Sequence, residues 1–330
     1  MGWVLVKVVI LDDWEKSFAE NPEIERLRQH FQVEIYQDKP SHDVLLSRIE
    51  HADVILPIRE RMRFSKEVLK QLKNIKLIAQ TGAGLAHIDM DEANRLNIPV
   101  ATTPGGSAAV VELIIGMMIT HSRNLLSLHM QMKQGQWAES SGLGLENKTV
   151  GIIGLGKIGS GVAKIARAFN MNTIAWGPRL TEERAEAQGV EFSELEDLLQ
   201  RSHFVVITVR LVPETKHLLS EKHFKLMRKD TFLINTSRGE VVDEAALLRA
   251  LEENWIGGAG LDVFNHEPID QNHSLLKLNN VILTPHIGWK TDNMFHQFLS
   301  VSIDNILSFL IQGKPERIVN LENIQLKARQ

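Results

Sequence analysis

The run Thr149-Val-Gly-Ile-Ile-Gly-Leu-Gly-Lys-Ile-Gly-Ser-Gly-Val-Ala-Lys-Ile-Ala-Arg-Ala168 reads as a buried strand, a tight glycine turn and a helix in direct succession. The three glycines play different parts. Gly154 permits the sharp turn out of the strand, Gly156 lets backbone approach a ligand, and Gly159 lets the helix pack close to the sheet. The helix start then offers unpaired N–H groups and the positive end of the helix dipole to an anion. A glycine triplet alone is a weak sign, since flexible turns contain the same pattern. Here Val150, Ile152 and Ile153 supply the strand before it, and Val162, Ala163, Ile165 and Ala166 supply an apolar helix face after it. Together they point to a parallel α/β sheet that binds a dinucleotide pyrophosphate.

The chain has 330 residues, 43% of them hydrophobic, enough for two domains with separate cores. Its net charge of −4 gives no electrostatic footprint for nucleic acid or an anionic membrane. There is no cysteine, so disulfides, thiolate metal sites and cysteine nucleophiles are excluded, and no metal is expected. A cytoplasmic location suits this composition. The start, Met1-Gly-Trp-Val-Leu-Val-Lys7, lacks a secretory signal pattern, and the apolar stretch from Val110 to Thr120 is interrupted by Glu112 and too short to span a bilayer.

β-rich runs alternate with helical patterns throughout, which argues for sheets built from βαβ units. The first series predicts strands at Val4 to Leu11, Gln32 to Tyr36, Asp53 to Pro57, Lys76 to Gln80 and Val100 to Thr102, with helices opening at Ser41 and Ser65. Thr103-Pro-Gly-Gly-Ser107 breaks the pattern, and one long amphipathic helix is expected from Ala108 to about Lys133. A second series follows Val150, with strands near Thr173 to Trp176, Phe204 to Thr208, Phe232 to Asn235, Gly258 to Asp262 and Val281 to Leu283. A helix from Thr291 to Gln312 then leads into the tail Lys314 to Asn320, which the pattern alone assigns to neither domain.

In doubly wound folds the ligand lies beyond the carboxyl ends of the strands, so polar residues there are the ones that matter. Arg238 follows one predicted strand, Asp262, His266 and Glu267 the next, and His286 the last. A guanidinium grips a carboxylate in a planar fork, and a histidine moves the proton that accompanies hydride at a carbon bearing oxygen. A carboxylate bonded to the ring fixes its orientation and favours its protonated form. Singly, each has a plainer reading as a surface ion pair, a solvated loop charge or a turn residue after Pro285; three at successive strand ends are harder to dismiss.

With these residues in view the chain resembles the D-isomer-specific 2-hydroxyacid dehydrogenase family over nearly its whole length. The resemblance rests on Gly154-Leu-Gly-Lys-Ile-Gly159, Asn235-Thr-Ser-Arg-Gly239, Gly260-Leu-Asp-Val-Phe264, Glu267-Pro268 and Thr284-Pro-His-Ile-Gly288, in the family's order. Thr81-Gly-Ala-Gly84 with His87-Ile-Asp89, and Thr103-Pro-Gly105 leading to Glu112, are weaker matches.

The resemblance implies an α/β fold of two doubly wound parallel-sheet domains, a Rossmann cofactor domain (104–289) inserted into a flavodoxin-like substrate domain (1–103 and 290–330). It implies His286 as acid/base, Glu267 as its partner and Arg238 as substrate anchor. Asp262 would lie near the nicotinamide carboxamide, within a cofactor set of Gly154, Gly156, Lys157, Ile158, Gly159, Gly177, Arg179, Thr208 and Thr236. The backbone of Gly82, Ala83 and Gly84 would receive the substrate carboxylate. Arg59 occupies the place of an arginine that in some relatives reaches a distal acidic group, with Arg61 as a second candidate; a solvated charged loop is the other reading. The family further implies a hinged cleft between domains and a homodimer formed through the cofactor domain's long helix.

Three departures stand out. The NAD-using pattern has an acidic residue where this chain has Gly177, and Arg179 lies two residues on. Loss of the acid removes repulsion against a 2′-phosphate, which an arginine binds, so the cofactor is NAD or NADP with the choice open. Arg210 stands where relatives commonly have proline, and Trp289, directly after the His286 turn, either walls the substrate pocket or caps the domain. The leading expectation is hydride transfer between a nicotinamide cofactor and a 2-oxo acid or (D)-2-hydroxy acid. The alternatives are a dehydrogenase of another small anion, formate or phosphite, and a dinucleotide-sensing corepressor-like protein. The second is disfavoured because such proteins typically carry extra terminal segments, whereas this chain starts in strand-like sequence and ends soon after its last helix.

Overall fold

A computed structural model describes residues 6–325. Val4 and Leu5 of the first expected strand lie outside them. The chain divides into two compact units, one made of the chain up to Gly106 together with the chain from Lys290, the other Ser107–Trp289.

Among the described residues the first unit contains five strands, β1 (Lys7–Leu11), β2 (Gln32–Ile35), β3 (Val54–Pro57), β4 (Leu77–Ala79) and β5 (Val100–Ala101). They form one parallel sheet in the order β2-β1-β3-β4-β5, the flavodoxin-like order. β3, β4 and β5 are buried along their length, as strands covered by helices on both faces must be. The helix expected at Ser65 is capped by the Ser65 hydroxyl, which accepts from Val68 N–H at 3.5 Å, whereas Ser41 precedes its helix without a side-chain cap bond.

The tail belongs to this unit. Ile318 pairs antiparallel with Ala101, Val319 N–H donates to Val100 O, and Asn320 Oδ1 accepts from Val100 N–H. Asp292–Leu307 continues as a π-helical turn, Ser308–Gln312. By length and composition the run Asp292–Gln312 suffices to cross a bilayer, yet Phe295, Phe298, Leu299, Ile303 and Ile306 are buried in it, as in a core helix.

The second unit contains seven strands, β6 (Thr149–Ile153), β7 (Asn172–Trp176), β8 (Glu191–Phe192), β9 (Phe204–Ile207), β10 (Phe232–Asn235), β11 (Gly258–Leu261) and β12 (Val281–Leu283). All are parallel, in the order β12-β11-β10-β9-β6-β7-β8. The order reverses between β6 and β9, the switch point at which Rossmann sheets bind dinucleotides. β8, two residues long and at the edge, escaped the sequence pattern because it has no apolar run.

The single long helix expected from Ala108 to Lys133 is two helices, Ser107–Ser122 and Leu125–Lys133, bent by 61°. Asn124 at the break has φ 50°, a left-handed conformation that asparagine tolerates better than most side chains and that no helix can contain. The halves also differ in surroundings. Val110, Val111, Ile114, Met117 and Met118 are buried, while no residue of Leu125–Lys133 is.

Candidate active site

The glycine turn is built as its spacing requires. Gly154 has φ 106°, and a Cβ there would stand 2.8 Å from Val209 N. Gly159 packs so tightly that a Cβ would overlap Gly154 O and lie 2.9 Å from Ile152 Cγ2. Thr208, at the end of β9, donates its hydroxyl to Gly154 O at 2.5 Å and so holds the turn across the switch point. Gly156 caps the helix Lys157–Ala168 without a side-chain bond, and among the described residues nothing beyond its chain neighbours lies within 4 Å of where its Cβ would be. The turn therefore leaves a cradle beside helix N–H groups, a setting that suits a pyrophosphate. Lys157 is exposed and Ile158 half-buried at the helix start.

At the end of β7, Gly177 leaves room for a larger residue, since the nearest contact for an added Cβ is 3.5 Å, to Leu180 Cβ. Arg179 is exposed there, and Arg184 donates to its carbonyl at 2.6 Å. At the end of β10, Thr236 Oγ1 is buried and has no hydrogen-bond partner among the described residues, which makes it a free group for a ligand at this edge. These observations fit a nicotinamide dinucleotide, whose pyrophosphate the glycine turn would hold and whose adenosine ribose would meet Gly177 and Arg179.

The three chemical residues come from three adjacent strand ends. Asn235 ties the loop after β10: its Oδ1 accepts from Ser237 N–H and its Nδ2 donates to Arg238 O, both at 3.0 Å. Arg238 is exposed, with Nη1 donating to Ser237 O at 2.7 Å. Gly239 brings this loop against the next, since a Cβ there would overlap the backbone at Phe264 and Asn265. In that loop Glu267 Oε1 accepts from Phe264 N–H at 2.9 Å, and Oε2 lies 2.6 Å from His286 Nδ1. Burial acts to raise the Glu267 carboxyl, but the bonds from His286 and Phe264 and the charges of His286 and Arg238 more than reverse it, leaving it below the ordinary glutamate range. His266, beside it, is exposed.

His286 itself has φ 52°, a conformation that needs support. Asp262 supplies it. Its Oδ1 accepts from the Thr284 hydroxyl at 2.6 Å and from Ile287 N–H at 2.8 Å, and its Oδ2 accepts from Gly288 N–H at 2.8 Å. Asp262 is buried, and burial pushes its carboxyl up against the opposing pull of those bonds. Trp289 ends the unit, half-buried.

In the first unit, Gly82 has φ 81° and its N–H donates to Thr103 Oγ1 at 2.7 Å. The expected carboxylate loop therefore has one amide already used, whereas the N–H groups of Ala83 and Gly84 make no hydrogen bond among the described residues. Arg59 lies against Gly82, while Arg61 is bidentate on Glu15 at 2.8 and 2.9 Å. The sequence pattern gives no individual role to Asn235, Thr103 or Thr284: Asn235 ties its own loop through Ser237 and Arg238, while Thr103 and Thr284 each bond a residue more than twenty positions away.

Residues 115–288 match the model of the D-isomer specific 2-hydroxyacid dehydrogenase NAD-binding domain. Over 316 residues the chain is 36% identical to a glyoxylate reductase of Pyrococcus horikoshii, covering 92% of this chain and 94% of that one. A crystal structure described as a D-3-phosphoglycerate dehydrogenase oxidoreductase from Ralstonia solanacearum superimposes with a TM-score of 0.89 at 30% identity, covering 97% and 98% of the two chains. An acyclic imino acid reductase solved with NADPH and D-Arg has a TM-score of 0.81 at 26% identity, over 95% of this chain and all of that one. The chain belongs to the D-isomer-specific 2-hydroxyacid dehydrogenase family, as an NAD- or NADP-dependent oxidoreductase of 2-oxo and 2-hydroxy acids.

Proposed function

We propose that the protein reduces a small 2-oxo acid of the glyoxylate type to its D-2-hydroxy acid, with His286 as the acid, Glu267 as its carboxylate partner and Arg238 as the substrate anchor. The 2.6 Å contact between His286 Nδ1 and Glu267 Oε2 carries this assignment. A carboxylate held below its ordinary range is an acceptor, so Nδ1 bears a proton and Nε2 is the nitrogen left to exchange one with the substrate oxygen. During reduction the Nε2 proton passes to the carbonyl oxygen, and in the reverse direction Nε2 takes it back. Glu267 stabilises the imidazolium and holds the ring in place. Arg238 offers a fork that fits the substrate carboxylate and draws charge from the adjacent carbonyl. The nicotinamide, when bound, supplies or accepts the hydride.

The first unit, up to Gly106 and from Lys290, is proposed as the substrate domain and the second, Ser107–Trp289, as the cofactor domain. Ala83 and Gly84 N–H are the amides available to a carboxylate, with Gly82 and Arg59 shaping that loop. Gly154, Gly156, Lys157, Ile158, Gly159, Thr208, Thr236 and Asp262 serve the dinucleotide, with Gly177 and Arg179 at its ribose. The resemblance to a glyoxylate reductase over nearly the whole chain supports the small substrate. A cytoplasmic location and a homodimer are part of the proposal, the dimer supported by exposed Leu125, Leu126, Met130, Met132 and Trp137 in one stretch.

The test is a panel of glyoxylate, hydroxypyruvate, pyruvate and 2-oxoglutarate with NADH and NADPH, followed by nicotinamide absorbance. Glyoxylate turnover is expected, and no turnover with any pair would overturn the reading. His286→Ala is expected to lower kcat about a thousandfold while leaving dinucleotide binding in place. Because Glu267 titrates below the ordinary range, its protonation should end activity only below that range. Glu267→Gln should remove that acid limb and lower kcat about a hundredfold.

A further inference from the structure

β3 delivers three consecutive charged residues, Arg59, Glu60 and Arg61, beside the loop proposed to take the substrate carboxylate. Arg61 is spoken for. Its guanidinium, 8% exposed, is bidentate on Glu15, donates to Asp12 O and lies 4.3 Å from the centre of the Trp14 ring, and Lys290 reaches Glu15 as well.

Arg59 and Glu60 instead face the glycine loop. Arg59 has φ 58°, with its N–H donating to Thr81 Oγ1 at 2.6 Å and its carbonyl accepting from Gln80 Nε2 at 3.2 Å. That turn lays the guanidinium against Gly82, where an added Cβ would overlap it. Glu60 lies against Gly84 in the same manner, with its Oε1 in the place an added Cβ would take. Glu60 Oε2 is 3.3 Å from Arg59 Nη2, and the side chains are 27% and 12% exposed. The loop thus has a cation against its first residue and an anion against its last. Glu60 Oε1 is buried and receives no hydrogen bond among the described residues, and Arg59 is the cation against its other oxygen.

A guanidinium alone beside this loop would attract a second anionic group on a substrate. Paired at 3.3 Å with a carboxylate, it presents a dipole whose field falls off quickly beyond the pair, and an incoming anion also meets Glu60 directly. We propose that Glu60 is a specificity-determining residue, which confines the enzyme to 2-oxo acids bearing one negative charge and rejects those with a second anionic group. This rests on the reading of residues 82–84 as the substrate loop, and it deepens that reading by naming the substrate class.

The experiment compares kcat/KM for glyoxylate and for 2-oxoglutarate in the unsubstituted protein, Glu60→Gln and Arg59→Gln. Glu60→Gln keeps the shape and removes the charge, and is expected to raise the 2-oxoglutarate to glyoxylate ratio about tenfold, an effect that shrinks at high salt. Arg59→Gln, which leaves Glu60 unopposed, is expected to lower the ratio. A ratio within twofold of the unsubstituted protein in Glu60→Gln overturns the proposal while glyoxylate turnover leaves the site reading intact. Should Glu60→Gln melt early, Glu60→Ala is read for the same ratio. Should the unsubstituted protein reduce no 2-oxo acid, the proposed function fails, and calorimetric binding of oxamate and 2-oxoglutarate to the two proteins decides the role of Glu60. Equal preference in both then overturns it.

Discussion

At the level of single residues, the chemistry depends on how few groups do more than one thing. Asp262 illustrates this: its two oxygens accept three hydrogen bonds that hold the turn bearing His286, so its carboxylate is mostly engaged by its own fold. Gly177 is the opposite case, a position the fold leaves open. An added Cβ meets only ordinary contact, so packing does not exclude an acid there. Gly177→Asp should therefore fold normally and raise the kcat/KM preference for NADH over NADPH at least about tenfold, through repulsion of the 2′-phosphate. An unchanged preference, measured with glyoxylate and both cofactors, would show that the ribose lies elsewhere. The types of the chemical residues were legible in the sequence because Arg238, Glu267 and His286 follow strands that the apolar pattern marks. Arg61 was not: nothing near Ile58-Arg-Glu-Arg61 announces that Glu15, 46 residues earlier, already holds it.

At the level of elements, the glycine turn shows how strictly spacing encodes packing. The strand, the turn and the helix were all legible, since each residue acts on its near neighbours in the chain. Gly159→Ala would force a Cβ onto Gly154 O and close to Ile152 and Thr208. It is expected to lower the melting temperature and weaken NADH binding at least about tenfold, read by thermal unfolding and by quenching of protein fluorescence. The break at Asn124 was illegible for the converse reason. Asparagine is compatible with both helix and left-handed conformation, and Leu125, Leu126, Met130 and Met132 continue an apolar pattern that looks like more core. β8 was missed because two edge residues carry no periodicity.

For the whole molecule, that misleading apolar pattern gains a meaning. Helix Leu125–Lys133 has no buried residue, and Trp137 beyond it is 83% exposed, so this stretch carries the apolar side chains that the proposed dimer would cover. The combined change Leu126→Glu and Met130→Glu should convert the proposed dimer to monomer in light scattering while leaving the far-ultraviolet circular dichroism of the chain unaltered. A dimer that survives both charges would place the subunit contact elsewhere.

The tail that pairs Ile318 with Ala101 and Asn320 with Val100 has a consequence for synthesis. The second unit is one uninterrupted stretch, whereas the first sheet is finished by residues more than two hundred positions downstream of its last strand. A chain leaving the ribosome from its amino end can complete the second unit while the first still lacks the segment that lines its edge strand. Until then β5 offers unpaired backbone to any neighbouring chain, so newly made protein is most exposed to misassociation before residues 318–320 have emerged.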